Sequence, residues 1–146
     1  MRFIITASHG DQPATTAAEP PVDFEALFAA YMKFNEDLYN AGVLVASEGL
    51  NPEAKSARVG VAGGKRTVLD GPFAESKELV GGFYLIDVPS LDDAIAWALR
   101  CPTGLGFADQ LEIRQLTGSA DIPQHLLDLS AKVAPAWTAS LVAQGR

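Results

Sequence analysis

The chain has few of the residues that build covalent cross-links and metal sites. Its 146 residues include one cysteine and two histidines. No disulfide can therefore form within the chain, and zinc, which usually takes three protein ligands, is not expected. Lysine and arginine total 11 against 18 aspartate and glutamate residues, which gives a formal net charge of -7. Such an acidic chain repels phosphate backbones, so nucleic acid is not expected as a partner.

Long hydrophobic runs are also missing. The apolar start around Phe3 is too short for the core of a signal peptide, and no segment approaches the length of a membrane span. We therefore expect a cytoplasmic protein without membrane attachment, and no cofactor is indicated. A hydrophobic fraction of 48% is nevertheless enough to bury a core, and the length fits one domain.

Hydrophobic periodicity predicts an α+β order of strands and helices. The predicted strands are 2–8, 43–47, 80–88 and 111–116, and the predicted helices start at Asp23 and Ser90. Two β-type runs around Gly63-Gly64 predict an inserted hairpin. Without that hairpin the order is β-α-β-β-α-β, the ferredoxin-like plan of two helices on one face of an antiparallel sheet. A polar loop, 10–21, is either a lid or a plain connection, and the tail should form helix interrupted at Pro135.

The predicted strand 80–88 is apolar on both sides. Phe83 and Leu85 lie on one side, whereas Tyr84 and Ile86 lie on the other. An antiparallel sheet with one face in water would alternate more cleanly between apolar and polar residues. A second copy of the chain is the simplest cover for the face without helices, which predicts a homodimer.

The segment Val68–Val88, V-L-D-G-P-F-A-E-S-K-E-L-V-G-G-F-Y-L-I-D-V, resembles the signature of the DGPF branch of the YCII-related proteins. The resemblance runs from about Arg2 to Leu116 and implies a dimeric α+β barrel, in which two sheets meet face to face. It divides the chain into a YCII-related domain, 1–117, and a C-terminal helical extension, 118–146. Further matching segments are E-G-L at 48–50, A-W-A at 96–98 and E-I-R at 112–114.

Three residues are candidates for catalysis. Glu48 follows the second strand and Asp70 opens the D-G-P-F turn, so each could act as a general acid or base or could simply cap a turn. Tyr31 on the first helix is the third. The YciI branch of the family is proposed to use a His-Asp pair, whose positions would fall near Tyr31 and Val43 here. Because valine cannot take a proton, that pair is absent.

Three further residues are candidates for ligand binding. Glu112 and Arg114 are two positions apart on a strand and therefore share a face. Inside a barrel, the arginine could hold an anionic ligand through its fork of donors, whereas an ion pair between the two is the plainer interpretation. His9, at the end of the first strand, could bind a ligand or be an ordinary surface residue.

Three kinds of function stay open. The first is a small-molecule binding or regulatory module; genes of DGPF proteins often lie beside sigma-factor genes, so the resemblance implies a link to sigma-factor signalling. The second is an enzyme that uses acid/base carboxylates in a cleft at the barrel mouth. The third is a structural dimer without a ligand. Absence of the His-Asp pair favours the first, and whether the protein is an enzyme at all stays open.

Overall fold

The computed structural model describes residues 1–8, 23–51, 56–71, 80–103 and 110–143. Its strands are β1 (Arg2–Ser8), β2 (Leu44–Gly49), β3 (Ala57–Ala62), β4 (Lys65–Asp70), β5 (Val80–Asp87) and β6 (Gln110–Gln115). Its α-helices are α1 (Phe24–Asn40), α2 (Leu91–Ala98), α3 (Gln124–Val133) and α4 (Pro135–Ala143), with a short 3-10 turn at Ser119–Asp121. The predicted candidate His9 and the loop 10–21 lie outside the described residues.

Four strands form the central sheet, in the order β2-β5-β1-β6, and every neighbouring pair is antiparallel. With α1 between β1 and β2, and α2 between β5 and β6, this is the β-α-β-β-α-β order of the ferredoxin-like plan. The strands β3 and β4 form a separate two-stranded hairpin inserted into it. The predicted α+β fold is confirmed.

The core lies between one face of this sheet and the helices α1 and α2. Burial in β1 alternates residue by residue, so that one side chain in two points into the core. The ring of Phe34 on α1 meets the ring of Tyr84 on β5 edge to face, with centroids 5.2 Å apart. The buried cluster consists of Phe3, Ile5, Phe34, Leu38, Tyr84, Ile86, Val88, Ala94, Ala98 and Cys101.

Both core helices start where the sequence predicts. The Asp23 carboxylate accepts hydrogen bonds from the backbone N–H groups of Glu25 and Ala26, at 3.1 and 3.0 Å. Ser90 Oγ accepts from the backbone N–H of Asp93 at 3.1 Å and donates to its carboxylate at 2.6 Å. These bonds satisfy backbone donors that have no partner within the helix, and so they fix where each helix begins.

The chain adds two elements to the β-α-β-β-α-β unit, the β3-β4 hairpin and the C-terminal tail. In the β3-β4 hairpin, Gly63 and Gly64 have φ of +56° and +76°, values that only glycine adopts readily, and they make the predicted tight turn. In the tail, α3 ends at Val133 and α4 begins at Pro135, because proline lacks the N–H that would continue the first helix. Ser130 Oγ and Thr138 Oγ1, 2.8 Å apart, join the two helices.

Candidate ligand-binding face of the sheet

The central sheet has a second face, on the side opposite α1 and α2, which we call the open face. Directly opposed residues of antiparallel strands share a face, so the strand register arranges its side chains in two rows. Across β2, β5, β1 and β6, one row is Ala46, Leu85, Ile4 and Arg114. The other row is Glu48, Phe83, Thr6 and Glu112.

The open face is apolar in the middle and charged at its two edges. Ile4, Phe83 and Leu85 in the middle are half-buried, whereas Glu48 on β2 is exposed. On β6, Arg114 Nε lies 3.8 Å from Glu112 Oε1, with the two side chains 74% and 62% exposed. Three strand spacings separate the edges, which is about 14 Å. We call Ile4, Phe83 and Leu85 the apolar floor. This floor lies between the Glu48 carboxylate at one edge and the Glu112–Arg114 ion pair at the other.

A β-bulge places Glu48 on the open face. Leu44 pairs with buried Ile86 on the helix-covered face, yet Glu48, four residues later, pairs with Phe83 on the open face. The register shifts between residues 44 and 46, so Val45 is an extra residue that reverses the alternation. In a regular strand, Glu48 would share the face of Leu44 and point toward the core.

The second glycine of the Gly81-Gly82 pair allows the backbone of Glu48 to lie close to β5. A Cβ atom added to Gly82 would lie 2.8 Å from the Glu48 carbonyl oxygen and 3.3 Å from Gly49 Cα. A contact of 2.8 Å with backbone can be relieved only if the strands move apart. Gly82 is thus required by the close approach of the two strands, and the signature positions the carboxylate edge of the open face.

Tyr31 lies on the other side of the sheet from Glu48, against the buried cluster. Burial raises the pKa of its phenol, and the nearby Cys101 thiol adds to that shift. Burial likewise raises the pKa of Cys101 to about 11, against a hydrogen bond with Thr103 that lowers it. The pKa of Tyr84 is also raised, chiefly by burial. At neutral pH these phenols and the thiol are protonated, so they supply neither a base nor a thiolate.

Asp70 belongs to the hairpin rather than to the open face. It is exposed at the end of β4, opposite Ala57. Gly71, the next residue of the D-G-P-F turn, donates its backbone N–H to the Ser56 carbonyl oxygen at 2.6 Å, and Pro72 and Phe73 lie outside the described residues. The structure therefore gathers three of the predicted site residues, Glu48, Glu112 and Arg114, on one face, and places Tyr31 and Asp70 elsewhere.

Sequence reasoning overlooked Ile4 and Thr6, the β1 residues of the open face. The signal was present, because alternation around Phe3 and Ile5 puts the intervening residues on the opposite face. Within the described ranges, no three His, Cys, Asp or Glu side chains are placed to hold a metal ion. The described helices also include none long and apolar enough to cross a membrane.

Comparison with known proteins identifies the family. The family model of the YCII-related domain matches residues 1–117. The chain belongs to the YCII-related family. Among curated proteins, the uncharacterised protein R00369 of Rhizobium meliloti (strain 1021) is 34% identical over 111 residues, which cover 74% of this chain and 86% of that relative. The resemblance seen in the signature segment is thereby confirmed.

One solved structure aligns with most of this chain at low similarity. It is 5-chloro-2-hydroxyhydroquinone dehydrochlorinase (TftG) from Burkholderia phenoliruptrix AC1100, in complex with 2,5-dihydroxybenzoquinone. The two structures align with a TM-score of 0.44 and 15% identity, over 84% of this chain and 100% of that chain. A likeness at this level assigns no activity to the YCII-related chain.

Proposed function

We propose that this YCII-related protein is a small-molecule binding module whose binding surface is the open face, closed by a second copy of the chain. The observation that carries the proposal is the pattern of that face. Ile4, Phe83 and Leu85 form an apolar floor, with Glu48 at one edge and Arg114 at the other. An apolar lining with a few placed polar groups is the usual composition of a small-molecule site.

Partial burial of the floor within one chain supports the proposed second copy. Phe83 and Leu85 on β5 are only half-buried, and burying such side chains is worth roughly 25 cal/mol per Å² of apolar surface. Two sheets that pack face to face lie about 10 Å apart, which encloses both floors. Because a two-fold interface uses the same surface on both copies, the homodimer would carry a pair of equivalent sites.

The two charged edges define the class of ligand. The Glu48 carboxylate accepts hydrogen bonds, so it would bind a hydroxyl or amine group. The Arg114 guanidinium has five donors and would bind a carboxylate or similar anionic oxygen; its 3.8 Å contact with Glu112 leaves most of those donors available. We therefore expect a ligand with an apolar or aromatic body and polar groups at its ends.

The protonation states of Tyr31 and Cys101 support ligand binding rather than catalysis. Burial raises the pKa values of Tyr31 and Cys101, which makes the phenol a weaker acid and keeps the thiol from acting as a nucleophile at neutral pH. Glu48 and Glu112 share a row of the sheet but stand on opposite edges, about 14 Å apart. Glutamates on strands that far apart are not a close carboxylate pair within one copy, so they do not favour acid/base chemistry at a shared substrate atom.

A thermal-shift screen combined with sedimentation tests the proposal. Wild-type protein should sediment as a dimer, and small molecules of the stated class should raise its Tm without being consumed. The rise should be lost in Glu48→Gln and Arg114→Met and kept in Glu36→Gln, a control on the exposed side of α1. A stable monomer at micromolar concentration, or equal shifts in all variants, would refute the proposal. Consumption of a hit would replace binding with catalysis.

The regulatory part of the proposal is a link to sigma-factor signalling in the cytoplasm. Its support is the family resemblance rather than any contact of the described residues. Affinity capture with the tagged protein, in the presence and absence of a stabilising ligand, is the direct measurement. A sigma factor retained at a level that depends on the ligand is the expected result, and retention of none removes this part while leaving ligand binding intact.

A further inference from the structure

We infer that Arg2 is a second anion-binding residue of the open face, and that Arg2 and Arg114 together hold the carboxylate of a ligand with an apolar body. We call these two residues the arginine pair. The inference rests on the proposed function and narrows its class of ligand to a monocarboxylate, bound at the β1-β6 side of the apolar floor.

The strand register puts the two arginines side by side. Burial alternates along β1, and Arg2 lies on the partly buried side that also carries Ile4. Ile4 pairs with Arg114 on β6, and the backbone N–H of Leu116 donates to the Arg2 carbonyl oxygen at 2.9 Å. Arg2 is therefore opposite Leu116 and diagonal to Arg114, a spacing of about 7–8 Å that long side chains can bridge.

The guanidinium of Arg2 lacks a protein partner. In the part of the chain that the structure describes, it makes no hydrogen bond and no ion pair. The carboxylate directly opposite, that of Asp87 on β5, instead accepts a hydrogen bond from the Met1 ammonium at 2.9 Å. Arginine stays charged at all ordinary pH values, so a partly buried one needs an anionic partner once it is removed from water.

Closure of the open face makes that need larger, and the local charge sets the charge of the partner. A second copy over this face would take Arg2 further out of water. Asp87 and the Met1 ammonium cancel each other, and Glu112 offsets one of the two guanidinium charges through its 3.8 Å contact with Arg114. One positive charge is left. A single carboxylate balances it, and its two oxygens can accept hydrogen bonds from both arginines.

A matched pair of probes, 2-naphthoate and 2-naphthamide, tests the inference by calorimetry, because they share an aromatic body and differ in charge. Wild-type protein should bind the naphthoate about tenfold more tightly than the naphthamide. Arg2→Met should raise the Kd of the naphthoate about tenfold and change that of the naphthamide less than about threefold. Arg66→Met, which removes the same charge from an exposed position of β4, should change neither.

Two further measurements separate ligand binding from a structural role of Arg2. Arg2→Lys keeps the charge and loses the fork of donors, so its Kd for the naphthoate should lie between those of wild type and Arg2→Met. Sedimentation without ligand should give Arg2→Met a dimer Kd within about threefold of wild type. A larger rise would show that Arg2 binds a carboxylate of the other copy, and the ligand role would be overturned.

The same titrations distinguish failure of the arginine pair from failure of the proposed function. If Arg114→Met weakens binding of the naphthoate and Arg2→Met does not, the role of Arg2 is wrong and the proposed function stands. Equal affinity of the wild type for both probes would remove the arginine pair and keep the apolar floor. Leu85→Asp in that floor should abolish binding of both probes. If binding survives this change, or if neither probe binds the wild type, both proposals fail together.

Discussion

Strand β5 presents two apolar sides that have different surroundings. Toward the helices, Ile86 and Tyr84 are 0% and 8% exposed. Toward the open face, Phe83 and Leu85 are only partly buried, although their side chains are as apolar. The difference comes from the layer that covers each side, since α1 and α2 supply one and the second would come from another copy. One side should thus contribute to the stability of the monomer and the other to association.

Truncation on the helix-covered side should give the largest effect. Ile86→Ala removes three carbon atoms from a fully buried position, and such changes cost roughly 2–5 kcal/mol because a cavity remains. We expect a loss of that size in urea unfolding at every protein concentration. A loss that shrinks as the protein is diluted would show that this side also depends on association.

Truncation on the open face should destabilise the protein less, by an amount that depends on the protein concentration. Leu85 lies on the same strand as Ile86 but on its partly buried side, and Leu85→Ala truncates it there. In the dimer, wild-type Tm should rise with protein concentration, and the variant should flatten that dependence. At concentrations where both proteins are monomeric, the difference should fall to about 1 kcal/mol or less. A cost equal to that of Ile86→Ala would erase the distinction between the two sides.

High pH should lower the free energy of unfolding through buried groups on the helix-covered side. Burial raises the pKa of Cys101 from 9.0 to about 11, and it also raises that of Tyr31. A raised folded-state pKa means that the protonated form is favoured by folding, so stability is complete below pH 9 and declines as the pH rises toward 11. Unfolding free energies measured between pH 7 and 11 should fall over that window, and Cys101→Ala should reduce the slope. An equal slope in the variant would exclude the thiol as a cause.

The sequence predicted the layers better than it predicted the site. Asp23 and Ser90 lie at the helix starts that capping chemistry demands, and Gly63-Gly64 makes the tight turn, because each of these signals acts over a few residues. The face of Glu48 was unpredictable, since the extra residue Val45 in the β-bulge reverses an alternation that counting from Leu44 would continue.

The remote placement of Tyr31 and Asp70 has a related cause. Both were grouped with Glu48 through the family motif and through nearness to predicted strand ends. Their actual places follow from tertiary structure, in which Tyr31 faces the buried cluster and Asp70 ends an inserted hairpin strand. Sequence separation carries no information about which side of a sheet a helix covers.

Substitution of an exposed residue on the outer surface of α1 should change the stability least. Lys33 donates to the Asp37 carboxylate, and Arg100, whose guanidinium lies 4.1 Å from the Trp97 ring centre, donates to it at 2.9 Å. The hydrogen bond from Lys33, with the charge of Arg100, holds the pKa of Asp37 below its ordinary 3.8.

A lowered folded-state pKa contributes stability above pH 3.8 and loses it as the pH falls below that value. Because the ion pairs of Asp37 are open to solvent, Asp37→Asn should destabilise the protein only slightly at pH 7. About 0.5 M salt should shrink the effect further, because screening acts on exposed pairs. Urea unfolding of both proteins at the two salt concentrations is the measurement. A loss comparable to that of Ile86→Ala would contradict the prediction, because this exposed ion-pair cluster would then stabilise the protein as much as the buried side of β5 does.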